Sequence, residues 1–168
     1  MDPAPAATAL NPRHRFVSGR PRAGMSLDDP AMSRLLASAR TIAVVGISDK
    51  PERDSNSVAR YLKSQGYRIV PVNPMLSEVL GERCYPSLRD VPPDVHVDIV
   101  DVFRRSDQVP PVVDEALARG VGAVWMQLGV AHAEAAARAE AQGVPTVQDL
   151  CIMVQHKRLR IPPVPPHR

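Results

Sequence analysis

The sequence predicts an α/β fold: a Rossmann-like, open, mostly parallel five-stranded sheet with helices on both faces. Three observations predict it. Short aliphatic runs alternate with amphipathic helical segments through the middle of the chain. Three of those segments end in glycines, Gly66, Gly120 and Gly143, that lead straight into the next apolar run. This rhythm is the sequence form of repeated right-handed crossovers. Apolar residues make up 44% of the chain and aromatics only 4%, so the core must be aliphatic, as in a parallel sheet covered on both sides. The expected strand order, numbering the five strands along the chain, is 3-2-1-4-5.

Each element follows from local chemistry. Asp28-Asp29-Pro30 starts a helix, with carboxylates at the positive end of its dipole and proline in the first turn. Met32, Leu35, Leu36 and Ala39 form its apolar stripe. Ile42–Val45 is a buried strand. Asn56 or Ser55 is expected to cap the next helix, which turns Val58, Tyr61 and Leu62 to one side and stops at Gly66. Tyr67–Val72 is the second strand, closed by Asn73-Pro74. Residues 75–94 are irregular, with a short helical turn expected near Ser77–Leu80. Val97–Val102 is the third strand. Ser106 begins a third helix that carries Pro110 and Pro111 early, buries Val112, Val113, Ala116 and Leu117, and stops at Gly120. Val121–Met126 is the fourth strand. Ala131–Gln142 is an Ala/Glu-rich helix, Val144–Val147 the fifth strand and Leu150–Arg158 a last helix.

The chain has 168 residues, suited to one domain with a real core. That domain is expected over 25–160. Residues 1–24 hold four prolines, many alanines and no periodicity, and read as a disordered arm. An Arg-containing, acid-poor start also fits a transit peptide, and Met25 is an alternative first residue. The end, IPPVPPHR, reads as an extended, unpacked proline-rich tail over 161–168. The net charge of +3 belongs to these ends: residues 25–156 hold 13 basic against 17 acidic residues. Such a body makes a poor nucleic-acid surface, because phosphate neutralisation needs clustered Lys and Arg. No apolar run is long enough to span a membrane. Two cysteines, Cys84 and Cys151, without a CxxC or a His/Cys cluster, argue against a disulfide framework or a metal site and for a reducing, cytoplasmic setting.

Ligands of such sheets bind beyond the carboxyl ends of the strands. The candidate binding residues therefore follow the strand tips. After the first strand come Gly46, Ile47, Ser48, Lys50 and Arg53, then Ser55, Asn56 and Ser57 where the helix opens. The glycine permits a tight turn, while the hydroxyls, the helix amides and the two cations suit an anion. The second tip is Val72-Asn73-Pro74, the third Phe103-Arg104, and the fourth carries Gln127 and Gly129. For each an ordinary turn, cap or solvated charge is the competing reading. An NAD enzyme would show GxGxxG and an acid after the second strand; here Gly46 stands alone and Asn73 occupies the acid's place. No histidine sits beside a serine or cysteine in a nucleophile setting, so no catalytic residue is assigned.

In order along the chain, VVGISDKPERDSNSVARYLKSQGYRIVPVNP, GERCYPSL, VDIVDVFRRSD and VWMQLGV resemble the small stand-alone CoA-binding proteins. Their domain is similar to the N-terminal CoA-binding domain of the succinyl-CoA synthetase alpha subunit. The likeness covers about residues 28–160. It implies that coenzyme A is bound, with its phosphates at Gly46-Ile47-Ser48 and Ser55–Val58. It further implies that Val72-Asn73-Pro74 and Phe103-Arg104 lie near the adenosine, and that Gln127-Leu128-Gly129 lies along the ligand. Ile47 stands where the family often has a small residue. The ligase's catalytic histidine lies outside this domain, so none carries over. The expectation is a non-catalytic module for CoA or an acyl-CoA. The alternatives are an NAD(P)-binding oxidoreductase, or the CoA-holding subunit of a ligase or transferase. A homo-oligomer or an enzyme partner is compatible with the sequence.

Overall fold

The computed structural model describes residues 27–165. The arm expected over 1–24 and the last three residues of the tail lie outside the described residues.

Five strands form one parallel sheet: β1 (Thr41–Val45), β2 (Arg68–Val72), β5 (Ile99–Val102), β6 (Ala123–Met126) and β7 (Thr146–Val147). Its order is β2-β1-β5-β6-β7, which is 2-1-3-4-5 for the five successive strands and corrects the expected 3-2-1-4-5. Two local devices place β5 beside β1. The Asp98 carboxylate accepts from the amides of Arg40 and Thr41, each at 2.9 Å, and so ties the start of β5 to the start of β1. The outer edge of β2 is already occupied: Tyr85 donates to Pro71 O (3.0 Å) and accepts from Asn73 N (2.9 Å). With that edge taken, the chain must return across β1 to find an open strand.

Alternation along the strands divides the core. Ile42, Val44, Ile69, Ile99, Trp125 and Val147 face α1 (Asp29–Ser38), α2 (Asp54–Ser64) and α5 (Ile152–Arg158). Ala43, Val45, Val70, Val100, Val124 and Met126 face α3 (Val109–Arg119) and α4 (Ala133–Ala141). Each fully buried aliphatic or methionine side chain contributes about 1.5–3 kcal/mol, so these rows supply the main driving force.

Two irregular segments depart from expectation. The region read as a helical turn is a hairpin of β3 (Glu78–Val79) and β4 (Glu82–Arg83), turned by Leu80 and Gly81 at φ 55° and 75°. Consecutive positive φ values suit a tight hairpin and no helix. Residues 161–164 are packed, not free: Ile161 and Val164 are buried, and Val164 N donates to Gln65 O at 2.8 Å. Two apolar side chains among the prolines outweigh the cost of ordering this stretch.

Between α1, α2 and α5 sits a polar cluster. His156, 1% exposed, pairs through Nδ1 with the Tyr61 hydroxyl at 2.7 Å, and Tyr61 and Tyr67 present ring edges to it. The Tyr67 hydroxyl donates to Leu36 O. His156 Nε2 is buried with no hydrogen-bond partner among the described residues. Burial pushes the His156 pKa down, because an imidazolium here would carry an unpaired N–H. The unfolded chain therefore takes up this proton first as pH falls. The neutral ring's contribution to stability is complete above the unfolded His pKa of about 6.5 and is lost as pH drops through it. The expected result is that the urea midpoint of wild type relative to His156→Phe is lower at about pH 5.5 than at about 7.5, the variant cancelling every other titrating group. A difference curve flat across that range would refute the assignment.

Candidate functional site

The switch point lies between β1 and β5, whose following loops leave in opposite directions, as in other sheets of this order. Gly46 closes β1 with φ 86° and donates its amide to Val72 O at 2.9 Å. A Cβ at this position would stand 3.2 Å from the Phe103 carbonyl carbon and 3.3 Å from its oxygen. Glycine is therefore required twice, for its torsion and for the close approach of the loop after β5.

From Gly46 the chain folds back over the sheet end into α2. Ser48 N donates to Ser55 Oγ at 2.9 Å, and Asn56 Nδ2 donates to Ser48 O at 2.9 Å. Ser48 Oγ accepts from Lys50 N at 3.1 Å. The expected capping by Ser55 or Asn56 is thus corrected: both lie inside the first turn and tether the loop. The cap position is Arg53, which makes no side-chain cap, whereas Asp28 caps α1 and His132 caps α4. Asn56 N donates to Arg53 O at 3.1 Å, which leaves the amides of Asp54 and Ser55 at the positive end of the dipole.

A cavity of about 380 Å³ opens at this helix start, lined by Gly46, Ser48, Lys50, Arg53, Asp54, Ser55 and Phe103. Lys50 and Arg53 are exposed, and neither side chain forms an ion pair among the described residues. Two cations outside any ion pair, beside the amides of Asp54 and Ser55, suit an oxyanion even with the Asp54 carboxylate in the lining. A larger cavity, about 610 Å³, lies at the amino end of β5 against α3, lined by Asp94, His96, Asp114, Glu115 and Arg119 among others. Its acids and its distance from the strand tips make it the poorer anion site.

The other expected residues divide into two groups. Arg104 lies beside Gly46, its Cδ 3.4 Å from a Cβ built there. Asn73 locks two tips together: Nδ2 donates to Ile47 O at 2.8 Å and Oδ1 accepts from Met75 N at 2.8 Å. Pro74 beside it is exposed. Gly129, at φ 82°, donates to Asp149 Oδ1 at 2.6 Å. By contrast, Ile47 and Val72 bury their side chains in the two cores, so Ile47 does not crowd the cavity. Ser57 Oγ donates back to Asp54 O. Gln127, 3% exposed, turns inward and donates from Nε2 to Asp101 Oδ1 at 2.7 Å.

Sequence reasoning passed over Asp101. Its signal was an acid inside the apolar run Val97–Val102. It passed over Asp149 too, a non-glycine residue at φ 59° that braces the tip of β6.

Residues 40–157, well over half of the chain, match the model of the CoA binding domain. The chain belongs to the CoA binding domain family. A stand-alone member, YneT of Bacillus subtilis, is 40% identical over 125 residues, covering 74% of this chain and 91% of that protein. A solved structure of a protein from Pyrococcus horikoshii superposes with a TM-score of 0.77 at 38% identity, covering 84% of this chain and 96% of the other. The ADP-forming acetate–CoA ligase II of Archaeoglobus fulgidus is 33% identical over 93 residues, 54% of this chain but only 14% of the ligase. Family members thus occur both as single small chains and as one part of a large ligase. Among the described residues, no helix is long and apolar enough to cross a membrane.

Proposed function

We propose that the protein binds coenzyme A, or an acyl-CoA, at the cavity between Gly46 and the start of α2, as a binding module without chemistry of its own. The observation that carries this reading is the uncapped α2 start, flanked by Lys50 and Arg53 at the switch point. The pyrophosphate takes the helix amides and Ser48. The adenosine lies toward Asn73, Pro74 and Arg104, and the rest of the ligand runs past Phe103 toward Gly129. Family membership supports the ligand class. A second reading keeps the same ligand but makes the chain the CoA-holding part of a ligase or transferase; the match to acetate–CoA ligase favours it.

The test is to identify by mass the small molecule released on denaturing the purified protein, and to titrate CoA by calorimetry. The double charge reversal Lys50→Glu with Arg53→Glu is expected to weaken binding by about 2–4 kcal/mol, at roughly 1–2 kcal/mol per cation at an exposed site. The melting temperature should hold, since both side chains are exposed. Undiminished affinity in the double variant would move the phosphates elsewhere. A nicotinamide dinucleotide in the mass spectrum, with no heat on adding CoA, would reject the reading outright.

A further inference from the structure

Asp101 is 0% exposed in β5, on the face covered by α1, α2 and α5. Its Oδ1 accepts from Gln127 at the tip of β6, while Oδ2 is buried with no hydrogen-bond partner among the described residues. On the same face, where α2 opens, Asn56 is 2% exposed and its Oδ1 is likewise buried and unpartnered. The remaining polar end of Asn56 holds the Ser48 carbonyl of the phosphate loop. An amide oxygen can only accept, whereas a carboxyl can donate only while protonated. A buried acceptor such as the Asn56 oxygen therefore complements Asp101 Oδ2 only in the protonated state of the acid.

We propose that Asp101 is a positioning residue of the binding site that works as the neutral acid: protonated, it braces the β6 tip through Gln127 and donates, directly or through one water, toward the Asn56 oxygen beneath the Ser48 loop. Deprotonated, it places a charge in an apolar face and loosens the loops that carry the ligand, so affinity becomes pH-sensitive. This rests on the CoA reading for its functional half only.

Burial raises the Asp101 pKa to about 8, and the Gln127 bond offsets part of that rise. Among the described residues, burial and the Gln127 bond alone act on the carboxyl, with no opposing charge to keep it ionised. The facing strands β1 and β6 bring no ionisable side chain. The ionisable groups packed on this face are Tyr61 of α2, Tyr67 before β2, Cys84, His156 of α5 and Cys151 at its start, all uncharged in their ordinary forms near neutrality. Asp98 lies on β5's approach but is engaged by Arg40 and Thr41. Asp29 and Arg158 pair with each other at the surface. The folded protein thus holds this proton where the unfolded chain has released it, and loses stability as pH rises from about 4 to about 8.

The tests use the whole chain, first without ligand. Trp125 is the single tryptophan and the register partner of Asp101 on β6. Its fluorescence, the Asp101 carboxyl ¹³C shift, and the amide signals of Gly46, Ser48 and Gly129 are expected to titrate together near pH 8. In Asp101→Asn, which has no carboxyl to titrate, the fluorescence and the three amide signals should lose that step, because its amide keeps both an acceptor for Gln127 and a donor for Asn56. With CoA, wild-type affinity should fall by about tenfold per pH unit above the Asp101 pKa, while Asp101→Asn stays within threefold of the neutral value. A carboxyl shift titrating in the ordinary acid range, or loop amides that ignore it, overturns the proposal without recourse to CoA or to the variant. Equal pH dependence of CoA binding in the two proteins overturns its functional half. Failure of wild type to bind CoA at any pH removes the CoA reading and the functional half with it, while the ligand-free titration still decides the rest.

Discussion

Gly66→Ala is expected to destabilise the domain by about 3 kcal/mol or more, from left-handed strain plus the loss of a packed tail. Gly66 ends α2 at φ 99°, and a Cβ there would stand 2.2 Å from the Val164 carbonyl oxygen. That contact is with backbone, so no side-chain rotation relieves it. Either α2 shifts, or residues 161–164 lift away and expose Ile161 and Val164. Gly143→Ala supplies the control: its φ is 81°, but nothing lies within 4 Å of the added atom, so only the torsional strain of about 1 kcal/mol or slightly more applies. Urea denaturation of both variants measures the difference. Truncation after Ile161 should bring the cost of Gly66→Ala down to that of the control. Equal costs in the full-length protein would show that the tail does not rest on this glycine.

The second large effect is expected at Arg119. Its guanidinium donates to four carbonyls: Leu88 (3.2 Å), Val91 (2.7 Å), Pro92 and Val95 (2.9 Å). It gathers the loop between β4 and β5 onto the last turn of α3. The neighbouring Glu115 anchors the same loop by accepting from Leu88 N at 3.1 Å. Arg119→Ala should cost about 2–4 kcal/mol, because charge-assisted bonds contribute more than neutral ones and half-buried carbonyls lose their donors. Arg119→Lys should recover little, since a single ammonium cannot fork to four acceptors. Amide exchange should quicken across residues 88–97 and remain unchanged at Gly46 and Ser48. A lysine variant as stable as wild type would assign the loop's order to packing of Leu88 and Val91 instead.

Much of the candidate site was legible because its signals are local. Gly46 after an apolar run, a polar loop with two cations, and serines and an asparagine at a helix start mark a candidate anion-binding turn without any long-range information. The roles inside that turn were not legible. Ser55 and Asn56 look like caps in sequence, yet both bond to Ser48, because the loop between β1 and α2 doubles back, and only its path reveals which amides lie within reach. Gln127 looked like a ligand contact at a strand tip. Its side chain points inward because Asp101, 26 residues earlier, offers an acceptor inside the sheet.

By itself the chain determined its five core strands, the helices between them, the glycine stops and the end of the sheet that carries the candidate site. Each of these depends on hydrophobic period and backbone torsion within a few residues. Tertiary structure decided the strand order, through Asp98 reaching Arg40 and Thr41 and through Tyr85 closing the edge of β2. It decided as well that Ile161 and Val164 are core and that Asp101 is buried against one partner. Those outcomes turn on which surfaces meet across 12 to nearly 100 residues of sequence, and burial, unlike periodicity, is a property of the neighbours.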